Sequence, residues 1–212
     1  MEMAKAGYFK NRAFWHRGME RRSLVWLTGT LLIAALWLAS RPYEGAINDA
    51  RLYAVEALRL LLPGHFDDDL YFRSGSQGQF TLFSRISAPF LARFGVGGAA
   101  LRLTVVFQAA WVGGLAFFVF SLFRDSRERF LAIAAVIVFP CVVIQEYGEV
   151  SLTPRLPAEA LVLWGLGFMM REKIVRSAMF LAAALMLHPL TALSAIALLA
   201  LRLALRQPRW WW

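Results

Sequence analysis

Cysteine, charge and the common catalytic motifs are all scarce in this chain of 212 residues. Its single cysteine, Cys141, lies inside an apolar block and cannot form an intrachain disulfide, so it indicates neither redox nor metal chemistry. The sequence contains no Gly-x-Gly-x-x-Gly, no Walker lysine loop, no Cys-x-x-Cys, no His-Glu-x-x-His and no Gly-x-Ser-x-Gly. These absences argue against chemistry that depends on a soluble cofactor.

Only 17% of the residues are charged, whereas 59% are hydrophobic and the mean hydropathy is +0.53. Soluble domains are usually nearer half apolar and a quarter charged, so the composition predicts a bilayer protein. The formal net charge of +9 does not indicate nucleic-acid binding. The basic residues flank apolar blocks instead of lining one polar face.

Several apolar blocks have the character of membrane segments. The first, residues 23–40, has no charge and would reach about 27 Å as a helix, so we interpret it as a retained first span and not as a cleaved signal peptide. The later blocks cover about 99–123, 130–144, 158–170 and 177–201. His188-Pro189 interrupts the last block, which could form one kinked span or two half-depth helices that meet at this dipeptide. The sequence therefore predicts an all-α, polytopic transmembrane bundle of five to six segments.

The distribution of Lys and Arg predicts the orientation, because short basic loops mark the cytoplasmic side. The basic segment 1–22 and the loops 124–129 and 171–176 would lie inside, and residues 41–98 and 145–157 outside. We expect one membrane domain over the whole chain, with the bundle after the outer loop at 99–205, in a bacterial inner membrane with a cytoplasmic N-terminus. The basic tail favours a re-entrant pair for the last block.

The outer loop, residues 41–98, carries two amphipathic patterns that suit helices in the membrane interface. The first begins after Asn48 as N-cap and stops at Pro63-Gly64, with Glu56 mostly off the apolar face. That face consists of Ile47, Ala50, Ala54, Val55, Leu58, Leu61 and Leu62. The second pattern, within residues 81–95, is interrupted near Pro89.

Three consecutive aspartates, Asp67, Asp68 and Asp69, lie between these patterns. Asp67 and Asp69 have the Asp-x-Asp spacing that can hold a divalent cation against a diphosphate, so a divalent metal ion is the one cofactor left open. The alternative is a solvated turn in which an aspartate caps the following helix. The lack of an alternating strand–helix pattern favours the turn.

Asp49 is a candidate general base. It lies within about ten residues of the outer end of the first span, in the first turn of an amphipathic helix, where partial desolvation can tune a carboxyl group for proton transfer. The alternative is that its charge only complements the helix N-terminus.

Further ionisable residues are predicted near the outer ends of the later spans, where such groups tend to be functional or paired. Arg155 could bind a phosphate or pair with Glu149 across the turn, and a helix N-terminus could stabilise Glu159. His188 could face an outer cavity or be a satisfied intramembrane group. Arg102, like Arg73, Arg85 and Arg93, could receive a lipid phosphate or simply extend toward water.

The order of these features resembles the N-terminal part of bacterial integral-membrane proteins of the GT-C glycosyltransferase type. It is carried by "EGAINDARLYAVEAL" in the outer loop, by the return "EYGEVSLTPRLPAEALVL" and by the broken block "LHPLTAL". The resemblance implies a polyprenyl-phosphate-linked sugar as donor and Asp49 as base, with Glu149 and Arg155 near the donor phosphate. GT-C enzymes usually have eight or more spans, so the chain would correspond to a fragment or to the module without its acceptor-binding half.

The rival hypothesis is a non-catalytic accessory subunit that packs against other membrane subunits and lipids. Small-residue stretches permit the close helix approach that such packing needs, namely "GVGGAA" (95–100), "WVGGLA" (111–116) and "WGLGF" (164–168).

Overall fold

The computed structural model describes residues 28–29, 31–33, 35–37, 43, 45–66, 68–138 and 151–206. All regular secondary structure in these ranges is helical, which confirms the all-α prediction. The helices are α1 (Asp49–Leu61), α2 (Leu70–Arg73), α3 (Phe83–Leu122), α4 (Ser126–Val138), α5 (Arg155–Met170), α6 (Ile174–Leu187) and α7 (Pro189–Arg206), with a 3-10 turn at Gln77–Phe80. Residues 28–37 are also helical wherever they are described.

Helix α3 is two helices joined at a glycine. Gly95 has φ 67° and ψ 171°, a conformation that is open to glycine but strained for other residues. The prediction of a break near Pro89 is therefore wrong: the helix continues through Pro89, whose fixed φ is already helical. The first part packs on α1 through Ala88 and Leu91, and residues 96–122 form a rod about 40 Å long.

Among the described residues, α3 is the helix with the length and hydropathy of a membrane span. Helix α6 and residues Pro189–Leu205 of α7 are apolar but shorter. The helices thus fit a membrane protein in composition, while the count of five to six segments stays a prediction.

The helices run up and down between two ends of the bundle. At the basic end (121–129, 171–176 and 202), Arg171 Nε donates to Ser121 Oγ over 2.8 Å, and Arg202 lies 3.9 Å from Glu172. The N-terminal helical residues also start there, because Gly29 lies against the Phe130 ring.

At the loop end (the described residues of 43–82, with 151–155 and 188), Thr81 Oγ1 donates to the carbonyl oxygen of Leu187 over 2.6 Å. The N–H of Leu82 donates to the carbonyl of Met186 over 3.0 Å. The chain breaks at His188 and α7 returns toward the basic end, where Arg202 lies against the α5–α6 turn. The last apolar block is therefore two helices and not one kinked helix.

Glycines bring α5 close to its neighbours. A Cβ on Gly167 would collide with the Phe117 ring of α3, and one on Gly165 would lie 2.9 Å from the Leu181 side chain of α6. Ala99 and Ala100 are fully buried. The small-residue stretches thus serve contacts within this chain, and this use weakens their value as a sign of partner helices.

The apolar face predicted for α1 is only partly correct. Ala50 and Ala54 are buried as predicted, but Leu61 and Leu62 are exposed and Glu56 is buried. The sequence predicts Glu56 on the polar side of α1, because its side chain is charged. Hydrogen-bond donors from later in the chain make its burial possible, and spacing within one helix cannot reveal them.

Candidate functional site

The loop end contains three of the residues that the sequence predicts as functional: Asp49, Arg155 and His188. Asp49 and His188 are next in sequence to Ala50 and Leu187, two members of a packed cluster in which α1, the segment before α5 and the α6–α7 turn meet. Arg155 begins α5 and acts electrostatically on His188. The cluster contains Ala50, Tyr53, Phe83, Leu152, Ala158, Leu187 and Ala192. Residues far apart in sequence are thereby brought to one end of the bundle.

Asp49 lies in the first turn of α1 and is exposed to solvent. The preceding Asn48 occupies the N-cap position with φ 47°, but its side chain makes no capping hydrogen bond. Asp49 is the acidic residue of the first turn, where the macrodipole favours an anion. Its position allows both predicted roles, proton acceptance and helix stabilisation.

His188 lies in the turn between α6 and α7 and is half-buried. Its Nδ1 accepts from the Thr191 N–H over 3.3 Å and lies 2.7 Å from Thr191 Oγ1, so the ring caps α7. Burial, and secondarily the positive charge of Arg155, lower the pKa of His188. The imidazole is thus held neutral, as expected for a satisfied histidine.

Arg155 and Glu159 occupy the first two turns of α5. Arg155 is half-buried and lies near enough to His188 to act on it electrostatically. Glu159 is buried and accepts a hydrogen bond from Trp111 Nε1 over 2.9 Å, which joins α5 to α3. Pro157 does not delay the helix, because proline is tolerated in a first turn. Glu159 is therefore paired, and Arg155 is the residue of the two that faces the loop end.

Arg102 lies near the Gly95 end of the long part of α3. Its Nη1 donates to the carbonyl of Gly98 over 2.9 Å, and its guanidinium lies 4.3 Å from the centre of the Phe94 ring. The side chain is exposed and lies back along its own helix. This geometry matches the simpler of the two predicted roles, in which the stem covers apolar surface and the charge stays in water.

The described aspartates of the triplet have local partners. Asp69 is the N-cap of α2 and accepts from the Tyr71 N–H over 2.8 Å, and Asp68 pairs with Arg73 over 3.1 Å at the surface. Asp67 and Glu149 lie outside the described residues, as does Cys141. Within the described part of the chain, no group of three or more His, Cys, Asp or Glu side chains could hold a metal. The metal hypothesis for Asp67 and Asp69 thus rests on the sequence alone.

Glu56 is a residue of the loop end whose role sequence reasoning missed. Its carboxylate is buried and accepts from Tyr71 Oη at 2.8 Å, the Gly78 N–H at 2.7 Å and Ser84 Oγ at 3.0 Å. We call these four residues the Glu56 clasp. The clasp joins α1, α2, the 3-10 turn and α3, so it holds the outer loop as one layer.

Tyr43 was also missed. It packs against the cluster around Ala50 and Leu187, and its hydroxyl is buried without a hydrogen-bond partner in the described structure. Burial raises the pKa of its phenol.

No family model matches the chain, and no match was found among curated proteins or solved structures.

Proposed function

We propose that the chain is a membrane-embedded module of the GT-C glycosyltransferase type that acts on a lipid-phosphate-linked sugar at its loop end. The observation that carries the proposal is the location of Asp49, Arg155 and His188 at one end of the bundle, where Arg155 acts electrostatically on His188 and Asp49 precedes the cluster residue Ala50. A carboxylate and a guanidinium at one membrane face can supply the general base and the phosphate ligand of such a transfer.

Membrane embedding is supported by the outer surface of α6 and α7. Val175 is 74% exposed and Leu190 77%. Further exposed apolar residues on these two helices include Met179, Met186, Leu193, Leu198 and Leu201. Soluble proteins rarely expose so continuous an apolar surface, whereas lipid covers it without cost. The up-and-down order of residues 28–37, the long part of α3, α4, α5, α6 and α7 gives the proposed six segments.

The proposed orientation places the basic end in the cytoplasm and the loop end outside. Arg124, Arg127, Arg129, Arg171, Lys173, Arg176 and Arg202 all belong to the basic end. An excess of Lys and Arg in short loops marks the cytoplasmic side.

In the proposed reaction, Asp49 accepts the proton of an acceptor hydroxyl group. At the same time the hydroxyl oxygen attacks the anomeric carbon of the donor sugar. The bond from that carbon to the phosphate oxygen breaks, and the lipid phosphate leaves with the electron pair. Arg155 stabilises the departing phosphate by charge-assisted hydrogen bonds. His188 remains neutral and keeps α7 in place beside this site.

The test is sugar transfer from a polyprenyl-phosphate donor in proteoliposomes, comparing Asp49→Asn with the wild type. Loss of a general base should reduce the rate by about 10²–10⁴-fold. Asp68→Asn is the matched control, because Asp68 is an exposed aspartate of the same loop that pairs only with Arg73. Equal rates for the two variants would remove Asp49 as base.

The second candidate is the accessory subunit, and the exposed apolar face of α6 and α7 also fits a partner helix. This hypothesis predicts no transfer by the wild-type chain alone. It also predicts that the chain elutes only with other membrane proteins. Transfer by the isolated wild-type chain would exclude it.

A further inference from the structure

A long groove lies on the side of the bundle between α3, α4 and the N-terminal helical residues. Its volume is about 660 Å³, within the range of ligand pockets. Its apolar walls include Trp37, Val105, Val112, Phe120, Ile133 and Ile137. Val105 is 55% exposed and Phe120 49%, so the groove is open along its side.

The groove follows the axis of α3. Its lining runs from Val105 to Phe120 on that helix, a distance of about 22 Å at 1.5 Å per residue. An apolar groove of this length, open along its side, fits a hydrocarbon chain better than a compact metabolite.

One end of the groove is polar and charged. Ser126 and Arg129 line it at the basic end, whereas Gln108, a neutral amide, is the polar residue of the lining toward the opposite end. Arg129 is fixed there, because its Nε donates to the Phe123 carbonyl over 2.9 Å and its guanidinium lies 4.6 Å from the centre of the Phe120 ring.

The fixed guanidinium keeps donors available. In the described part of the chain Arg129 makes no ion pair, although Asp125 and Glu128 are close in sequence, so its Nη groups can donate to an anion. The polar end of the groove thus offers a cation and a hydroxyl beside a hydrocarbon channel.

We propose that this groove binds one acyl chain of an anionic phospholipid, with the lipid phosphate on Arg129 and Ser126. The charge at one end and the apolar length behind it match the two parts of such a lipid. The charged end of the groove lies at the opposite end of the bundle from Asp49, so the proposal rests on the proposed membrane embedding but not on sugar transfer.

The headgroup part is tested with the full chain in detergent, mixed with phosphatidylglycerol or phosphatidylcholine and observed by native mass spectrometry. The wild type should retain one phosphatidylglycerol per chain, with about fivefold preference over phosphatidylcholine, as expected for one arginine beside a headgroup with a net negative charge that the choline ammonium would otherwise cancel. Arg129→Gln should lose this preference. Arg176→Gln is the control, because Arg176 belongs to the basic end but does not line the groove. Equal loss in both variants would mean diffuse attraction by the basic end and would overturn the proposal.

The acyl-chain part is tested by filling the groove. Ala116→Phe places a ring in the middle of the lining and should abolish retention of either lipid, whereas Ala182→Phe, on the exposed side of α6, should not. Circular dichroism and elution volume establish whether each variant is folded. If Ala116→Phe does not fold, Ala109→Leu replaces it as the variant that fills the groove. Retention by the filled variants would refute the site. Complete displacement by polyprenyl phosphate, or a wild-type dimer that the filled variants disrupt, would assign the groove to another occupant and equally overturn the proposal.

Discussion

The loop end and the basic end of the bundle differ in how their most extensively bonded charged side chains are held. At the loop end Glu56 is buried and accepts hydrogen bonds from residues 15 to 28 positions further along the chain. At the basic end, Arg171 and Arg176 are exposed and lie over aromatic rings, with guanidinium-to-ring distances of 4.3 and 5.8 Å. The same helices connect the two ends. Buried hydrogen bonds to a carboxylate hold the loop end together, whereas contacts between exposed guanidinium groups and aromatic rings are found at the basic end.

The difference predicts different responses to substitution. A buried carboxylate with several donors leaves all of them unsatisfied when it is removed, so the loss is concentrated at one residue. An exposed guanidinium over a ring is solvated on its free side, so its loss costs little. The loop end should therefore fail as a unit, and the basic end should tolerate single changes.

The largest effect is expected for Glu56→Ala. Removing the carboxylate leaves Tyr71, Gly78 and Ser84 without their acceptor, at a cost of about 3 kcal/mol in the free energy of opening the outer layer. Hydrogen exchange of the α1 amides measures that opening.

Two controls define this result. Glu56→Gln retains one acceptor oxygen and should recover part of the loss, and Glu128→Ala changes an exposed glutamate at the basic end and should leave exchange unchanged. Unchanged exchange of α1 in Glu56→Ala would show that the clasp does not hold the layer.

Gly78→Ala should have the next largest effect. The added Cβ would collide with Glu56 Oε2, so the clasp must shift, at a cost of about 2 kcal/mol. Gly97→Ala is the matched control, because a Cβ there meets open space within a helix and should stabilise α3 by up to about 1 kcal/mol. Thermal unfolding compares them, and equal shifts in the midpoint would argue against the tight packing around Glu56.

Acidification should destabilise the loop end through His188. Its pKa is lowered in the folded state, so the unfolded chain binds more protons as the pH falls below 6.5, and the stability present above that value is progressively lost. His188→Asn can still cap α7 but does not titrate in this range. Between pH 7.5 and 5.5 the unfolding temperature of the wild type should fall more than that of the variant. A parallel fall would assign the pH dependence to other groups.

The smallest effect is expected at the basic end. Arg171→Ala removes a 2.8 Å hydrogen bond to Ser121 and the contact with Phe117, and for an exposed side chain this costs about 0.5–1 kcal/mol. Thermal unfolding measures it. A loss as large as that of Glu56→Ala would erase the contrast between the two ends.

The features that could be predicted from the sequence depend on residues that are close together in the chain. The stop of α1 before Pro63-Gly64 follows from residues within one turn, and so do the capping role of Asp69 and the division of the last block at His188. The burial of Glu56 could not be predicted, because its donors lie 15 to 28 residues further along the chain. Similarly, the break at Gly95 depends on the backbone conformation, and Pro89 was the more conspicuous residue.

The α6–α7 hairpin determines at which end of the bundle the chain continues after α7. Because the chain turns back at His188, the two helices together add an even number of passages between the ends, and residues leaving α7 return to the side of the α5–α6 turn. A reporter inserted at Arg124 and one placed after Arg206 should then be accessible from the same compartment. A reporter in the turn at Pro63-Gly64 should be accessible from the other.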